Sequence, residues 1–272
     1  MKILMIKISM FIILIFTISI CYSQIVNREN ISPLAMDYRL KGIEYGASGK
    51  LEEAKQKFEK ALEIDQNFLG AKDCLEITED ALSLRIDKKI AVHIFKGSIY
   101  NLKGNFKDAI VELETALSIN PNYAHTHATL GMIYVNQRMF NKAIDYFKKA
   151  LDINPNLVSG HVNLSSTYIV MKMLDKAIAH AETALSINPN IATAHNNIGM
   201  VYLIKDMPDK VIPPSKKAID INPDYAAAHN NLAVAYYLTK QYNLAIKHCD
   251  KALELGAPVH PDFLNALKPY RK

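Results

Sequence analysis

The 272-residue sequence has no tryptophan and three cysteines, and none of its residue spacings resembles a metal or redox motif. No run alternates apolar and polar residues as a strand ladder requires, and no phosphate loop or nucleophile elbow is present. The sequence therefore predicts no enzyme, cofactor, metal site or small-molecule substrate. Cys74 and Cys249 lie far apart in separate helical segments, so we expect buried thiols rather than a disulfide.

The charge balance does not favour a nucleic-acid partner. The formal net charge is +5, and two of the lysines, Lys2 and Lys7, lie in an N-terminal segment that we expect to be removed. The other lysines alternate with acidic residues at helical spacing, as they do between residues 52 and 60. This pattern is typical of a solvated helix surface.

Residues 1–23 have the form of a secretory signal peptide. Lys2 and Lys7 precede an apolar stretch over residues 8–20, and small residues follow at Cys21 and Ser23. The stretch is shorter than the roughly 20 residues of a membrane-spanning helix. We expect an exported protein, periplasmic or secreted, with residues 24–34 as a tether. A retained membrane anchor and a lipidated Cys21 are the alternatives. The identity of the N-terminal residue in the mature protein would distinguish the three cases.

The helical remainder of the chain repeats with a period of 34 residues. Four Asn-Pro pairs have this spacing, and each proline ends a helix because it lacks an N–H: Asn120-Pro121, Asn154-Pro155, Asn188-Pro189 and Asn222-Pro223. Tyrosines repeat in the first helix of each unit, at positions 100, 134, 168, 202 and 236. Small residues repeat in both helices, as at Gly131, Ala143 and Ala150. The period predicts stacked helical hairpins.

These residues resemble the tetratricopeptide repeat (TPR), which implies an all-α, right-handed solenoid of six helix-turn-helix repeats with a C-terminal capping helix. On this resemblance the chain divides into a weak first repeat at 35–68, a helical insertion at 69–89, repeats at 90–123, 124–157, 158–191, 192–225 and 226–259, and a capping helix with the tail at 260–272.

Two departures from the pattern predict local irregularities. The insertion adds 21 residues, close to six helical turns, so we expect one long helix from about Phe68 to Leu102 and a first repeat that stands apart. In the fifth repeat Pro213 and Pro214 fall in mid-helix, where we expect a kink or break, with Ser215 in place of a bulky residue.

Five histidines also repeat every 34 residues, at positions 93, 127, 161, 195 and 229. Equivalent helices are too far apart for these side chains to share a zinc ion, whose ligand nitrogens lie about 2 Å from the metal. We interpret the histidines as large side chains packed between helices.

Asparagines supply the candidate binding residues. Asn163, Asn197 and Asn231 repeat at one first-helix position, with Asn196 and Asn230 beside two of them. The arrangement is similar to the TPR superhelix of O-linked N-acetylglucosamine transferases, where an asparagine ladder on the concave face holds an extended peptide. That family's catalytic domain is absent here. The alternative is repeat drift that kept a polar residue on an exposed face.

The sequence thus predicts an exported, non-enzymatic interaction scaffold that binds a partner peptide or helix in a concave groove, toward residues 158–240. Two alternatives remain. One is a membrane-tethered envelope assembly or secretion factor, similar to six-repeat pilotin lipoproteins. The other is an accessory that recruits a substrate to a separate enzyme.

Overall fold

The computed structural model describes residues 31–271. Regular structure in this range is helical throughout, and the helices, numbered in chain order, are α1 (Pro33–Ala47), α2 (Leu51–Ile64), α3 (Leu69–Leu82), α4 (Lys88–Leu102), α5 (Phe106–Ile119), α6 (Ala124–Asn136), α7 (Phe140–Ile153), α8 (Val158–Val170), α9 (Leu174–Ile187), α10 (Ala192–Ile204), α11 (Pro208–Ile221), α12 (Ala226–Leu238), α13 (Tyr242–Glu254) and α14 (Pro261–Leu267), followed by a short 3₁₀ helix (Lys268–Tyr270). Two compact units form, one over residues 31–164 and one that begins at Ser165. The predicted signal peptide and most of the tether lie outside the described residues.

Each helical hairpin closes through a small residue of the first helix against a side chain of the second. A Cβ added at Gly131 would lie 2.5 Å from the Phe147 ring, and one added at Gly42 would lie 2.4 Å from the Phe58 ring. Phe58 and Phe147 are fully buried. The predicted reason for the small residues, close approach of a second helix, is therefore confirmed.

Three of the repeated tyrosines are covered by lysines from the second helix of the same hairpin. The lysine Nζ atoms lie over the ring centroids at 5.3 Å for Lys142 on Tyr134, 5.7 Å for Lys176 on Tyr168 and 5.8 Å for Lys210 on Tyr202. A cation over an aromatic face is attractive, by about 0.5–1 kcal/mol at exposed sites. The 34-residue period of the tyrosines is thus matched by a period in the lysines.

Asparagine side chains shape the turns between repeats. In each Asn-Pro-Asn/Asp turn the first asparagine accepts a hydrogen bond from the backbone N–H two residues later, with N–O distances between 2.9 and 3.1 Å. This Asx turn is a local alternative to helix continuation. At the end of the first repeat Asp65 accepts the same bond from the N–H of Asn67, so the turn forms even though Gln66 replaces the proline.

The long helix predicted from Phe68 to Leu102 is wrong. Two helices, α3 and α4, are separated by residues 83–87, and Leu84 adopts a left-handed conformation with φ of 61°. Backbone N–H groups of Arg85 and Ile86 donate to the Asp80 carbonyl to close α3. Asp87 then starts α4, because its carboxylate accepts a hydrogen bond from the N–H of Lys89 at 2.8 Å. The end of α3 and the start of α4 were not predicted because the apolar residues keep the same helical phase across the 21-residue insertion.

The first repeat does not stand apart either. α1 packs directly on α4, where a Cβ at Gly46 would lie 2.3 Å from the ring of Phe95. The rings of Phe58 and Phe95 lie 5.7 Å apart. α3 packs beside this contact, and its start is held to α1 by a 3.0 Å hydrogen bond from Arg39 Nε to the Gly70 carbonyl. The extra helix is therefore added without separating its neighbours.

Of the kink or break predicted in the fifth repeat, the break is wrong, since α11 continues through Pro213 and Pro214, while the kink stays a prediction. These prolines leave the carbonyls of Asp209 and Lys210 without helical N–H donors, and both residues are exposed, where water can replace the donors. Ser215 is fully buried, and its hydroxyl has no hydrogen-bond partner. The hairpin is continuous, and a small buried serine occupies the position at which two other hairpins have phenylalanine.

The second unit ends on α14. Phe263 and Leu267 are buried in one cluster with residues of α12 and α13, among them Cys249. The Phe263 ring meets Tyr237 edge-on at 5.6 Å, and Arg271 pairs with Asp250. Cys74 and Cys249 are both buried thiols, as predicted.

We expect Leu84→Gly to raise the free energy of unfolding by about 1 kcal/mol. A residue with a Cβ atom is destabilised by about 1–2 kcal/mol in the left-handed conformation, which glycine adopts freely. Leu84 is 77% exposed, so little packing is lost. Urea unfolding measures the change, with Leu84→Ala as a control that keeps the strain. Destabilisation by glycine would mean that the chain is not left-handed at this position.

Replacing Pro213 and Pro214 together by alanine should stabilise α11 by a few kcal/mol, since an interior proline costs roughly 3 kcal/mol. Pro208→Ala is the matched control, because Pro208 opens the helix, where the missing N–H has no intrahelical partner. Thermal unfolding compares the variants. An equal response to the two changes would contradict the assigned positions of these prolines in the helix.

Candidate functional site

The predicted asparagine ladder lies on first helices, and most of it is buried. Asn196, Asn197, Asn230 and Asn231 are buried in α10 and α12, while Asn163 in α8 is partly buried. Asn163 belongs to the unit of residues 31–164, and the other four belong to the second unit.

In the second unit the amides connect successive first helices. Asn197 Nδ2 donates to Ser165 Oγ at 3.2 Å and to Ser166 Oγ at 2.9 Å, which joins α10 to α8. Asn231 Nδ2 donates to Asn196 Oδ1 at 2.8 Å, which joins α12 to α10. Each bond uses one end of an amide that has both a donor and an acceptor. The Oδ1 of Asn231 is buried without a hydrogen-bond partner.

The ladder therefore has a structural use that the sequence interpretation missed. A signal for it was available, because Ser165 and Asn197 lie 32 residues apart and Asn196 and Asn231 lie 35 apart, close to one repeat. Whether the same residues bind a peptide stays a prediction.

The repeated histidines have one shared hydrogen bond. Each Nε2 lies 2.8–3.0 Å from the carbonyl oxygen of the proline six residues before it, for His127, His161, His195 and His229. Since a carbonyl only accepts, the Nε2 of each ring carries the proton. His93 has Asp87 in place of that proline, and its Nδ1 lies 2.6 Å from the carboxylate of Glu112. The histidines thus tie each first helix to the preceding turn.

Burial favours the neutral form of the last two repeated histidines. It lowers the pKa of His195 and of His229, although the proline carbonyls act in the opposite direction. His248 faces His229 with the two Nδ1 atoms 2.9 Å apart. The proton of a neutral His229 is on Nε2, so its Nδ1 can only accept a hydrogen bond. The proton between the two rings is therefore on His248 Nδ1. Burial, and then the neighbouring His229, lowers the pKa of His248 to about 4.

A second polar cluster, which the sequence analysis did not identify, lies at the starts of α6 and α8. The hydroxyl of Tyr123 donates to Asp80 Oδ2 at 2.9 Å. His125 Nε2 lies 3.3 Å from Glu76 Oε2, close enough for an ion pair but without the alignment of a hydrogen bond. Asp73 lies beside His125 and the hydroxyl of Ser159. The three carboxylates come from α3, so we call Asp73, Glu76 and Asp80 the acidic row.

The electrostatics of the cluster centre on His125, whose side chain is only 4% exposed. Burial lowers the pKa of His125, but Glu76, Asp73 and Asp80 outweigh burial and leave the pKa raised. The same pairing with His125 lowers the pKa of Glu76, whereas burial raises the pKa of Asp73. A protonated His125 between carboxylates is therefore the favoured state at mildly acidic pH.

No helix within residues 31–271 has the length and apolar character to cross a bilayer.

We expect the contribution of His125 to stability to fall as pH rises. A raised folded-state pKa gives stability that is present below the unfolded value of 6.5 and is lost as pH rises through the folded value. The difference in unfolding free energy between wild type and His125→Gln should therefore shrink as pH rises above the unfolded value of 6.5. Glu76→Gln supplies the control, because His125→Gln should have a flatter pH profile in that background. A pH-independent difference in the wild-type background would contradict the assignment.

Comparisons with known proteins agree with this architecture. Tetratricopeptide repeat models match residues 124–157 and 226–255, a TPR repeat model matches residues 97–137, and a further tetratricopeptide repeat model matches residues 38–68 and 158–191. Together these stretches cover more than half of the chain. No curated protein matches in sequence.

Solved structures of several proteins have a similar fold. MamA is 28% identical with a TM-score of 0.53, over 59% of this chain and 94% of its own. PilF of Pseudomonas aeruginosa is 22% identical with a TM-score of 0.63, over 68% and 85%. YrrB, described as a TPR protein with an unusual peptide-binding site, is 21% identical with a TM-score of 0.52, over 72% and 98%. The chain belongs to the tetratricopeptide-repeat family, with the all-α solenoid fold of a protein-interaction scaffold.

Proposed function

We propose that this chain is an exported scaffold that holds a segment of a partner protein along its first helices, toward residues 158–240. The observation that carries the proposal is the row of asparagine amides on α10 and α12, in which each interhelix bond uses only one end of an amide. An extended peptide offers alternating N–H and C=O groups that suit the remaining ends.

The unpartnered Asn231 Oδ1 adds physical support. A buried acceptor without a hydrogen bond costs roughly 1–3 kcal/mol, and a peptide N–H would remove that cost. Binding would require a small movement of the surrounding side chains, since Asn231 is fully buried. The peptide-binding site named for YrrB makes a peptide ligand reasonable for this fold. Export rests on the pattern of residues 1–23, which lie outside the described range.

The binding role is tested by capture of partners from the native envelope with wild-type protein and with Asn163, Asn197 and Asn231 all changed to alanine. We expect the triple variant to lose at least one specific partner by tenfold or more, because the amide row is removed. Asn190→Ala is the matched control, since Asn190 is an exposed turn asparagine whose backbone, not its side chain, makes the turn bond.

The triple variant also loses the bonds between α8, α10 and α12, so its helicity and urea midpoint must be measured alongside capture. If a folded triple variant captures every partner with unchanged affinity, the asparagines do not form the binding site.

A further inference from the structure

The inserted helix α3 has more than one packed side. Ala71, Cys74, Ile77 and Ala81 are buried along one side, and α3 packs there within the unit of residues 31–164. The acidic row lies on a different side, at the i, i+3 and i+7 positions that share one helix face. The acidic row therefore makes a contact that is separate from the apolar packing of α3.

That contact is with the starts of two other first helices. His125 is the second residue of α6 and Ser159 is the second residue of α8, so they occupy the same position in successive repeats. Tyr123 precedes α6 and binds Asp80. Carboxylates are favoured at helix N-termini, where the unpaired N–H groups carry partial positive charge. An acidic helix that crosses these starts therefore meets a complementary surface, which we call the His125 face (Tyr123, His125 and Ser159).

Two observations indicate a binding surface rather than incidental proximity. The Nε2 of His125 is buried and lies 3.3 Å from Glu76 Oε2, an ion-pair contact that lacks the alignment of a hydrogen bond. The Asp73 carboxyl is placed in the same cluster even though burial there raises its pKa, which is a desolvation cost. The cluster is thus not optimised for one fixed set of hydrogen bonds.

We infer that the His125 face is a docking site for an acidic amphipathic helix, and that α3 occupies it as an intramolecular ligand. A partner helix with carboxylates at i, i+3 and i+7 has the chemistry to compete with α3. The covalent connection gives α3 an effective concentration in the millimolar range, so such a partner binds weakly while α3 is in place. This inference concerns α3, α6 and the start of α8, and it does not depend on the asparagine row.

The test replaces the 14 residues Leu69–Leu82 by a Gly/Ser stretch of equal length in the full chain. A 14-residue helix is about 21 Å long, and a flexible linker of that length spans roughly 20 Å on average. The probe is a fluorescent synthetic peptide of residues 67–85. Its matched control carries Asp73→Asn, Glu76→Gln and Asp80→Asn. Binding is followed by fluorescence anisotropy.

We expect the replaced chain to bind the acidic peptide at least tenfold more tightly than the neutral peptide, and wild type to bind neither. His125→Gln in the replaced chain should abolish the preference. A folded replaced chain that binds neither peptide, or both equally, overturns the inference, because apolar packing alone would then determine the position of α3.

Should the replaced chain fail to fold, hydrogen exchange on the intact chain decides the question. With Asp73→Asn, Glu76→Gln and Asp80→Asn in place, amides of α3 should exchange at least tenfold faster than in wild type, while amides of α7 keep their rates. Unchanged exchange in α3 would show that the acidic row does not hold the helix, and the inference would fail.

Discussion

The carbonyl group of each repeat-ending proline is the point on which the regular part of this fold depends. Proline ends a helix because it has no N–H, and the turn that follows must still satisfy its own polar groups. Here the preceding asparagine accepts the N–H beyond the proline, and a histidine six residues later donates to the proline carbonyl. The two bonds fix where one repeat stops and where the next first helix begins.

Once the start of a first helix is fixed, its early side chains are fixed as well. His125 and Ser159 are second residues of α6 and α8, and the turns before them determine what those side chains can meet. The histidine that binds the proline carbonyl is two positions further along, at His127 in α6. One set of side chains thus holds the turn, while the neighbouring set is available for contacts such as those made by Glu76 and Asp80.

The regular repeats could be predicted from the sequence because their signals are local and recur. Asn-Pro pairs, tyrosines and small residues at a fixed spacing place each helix within a few residues. The insertion was harder, since its apolar phase agreed with a continuous helix while Ser83 and Asp87 carried the opposing signal. Pro213 and Pro214 do not break α11 for another reason, because the carbonyls that they leave without helical donors lie on an exposed turn.

The candidate binding residues show the limit of position-based inference. Repetition of Asn197 and Asn231 predicts an amide with a role, but a role in ligand binding and a role in the fold produce the same pattern. The interhelix bonds to Ser165, Ser166 and Asn196 supply a structural use by themselves.

The acidic row of α3 is the converse case, because it falls outside the repeat and no periodicity marks it. Its partners are distant in sequence, 43 residues for Asp80 and Tyr123, so only the folded chain brings them together. Binding surfaces in a repeat protein are therefore best sought where an irregular segment meets the regular lattice, since there the side chains are not already explained by stacking.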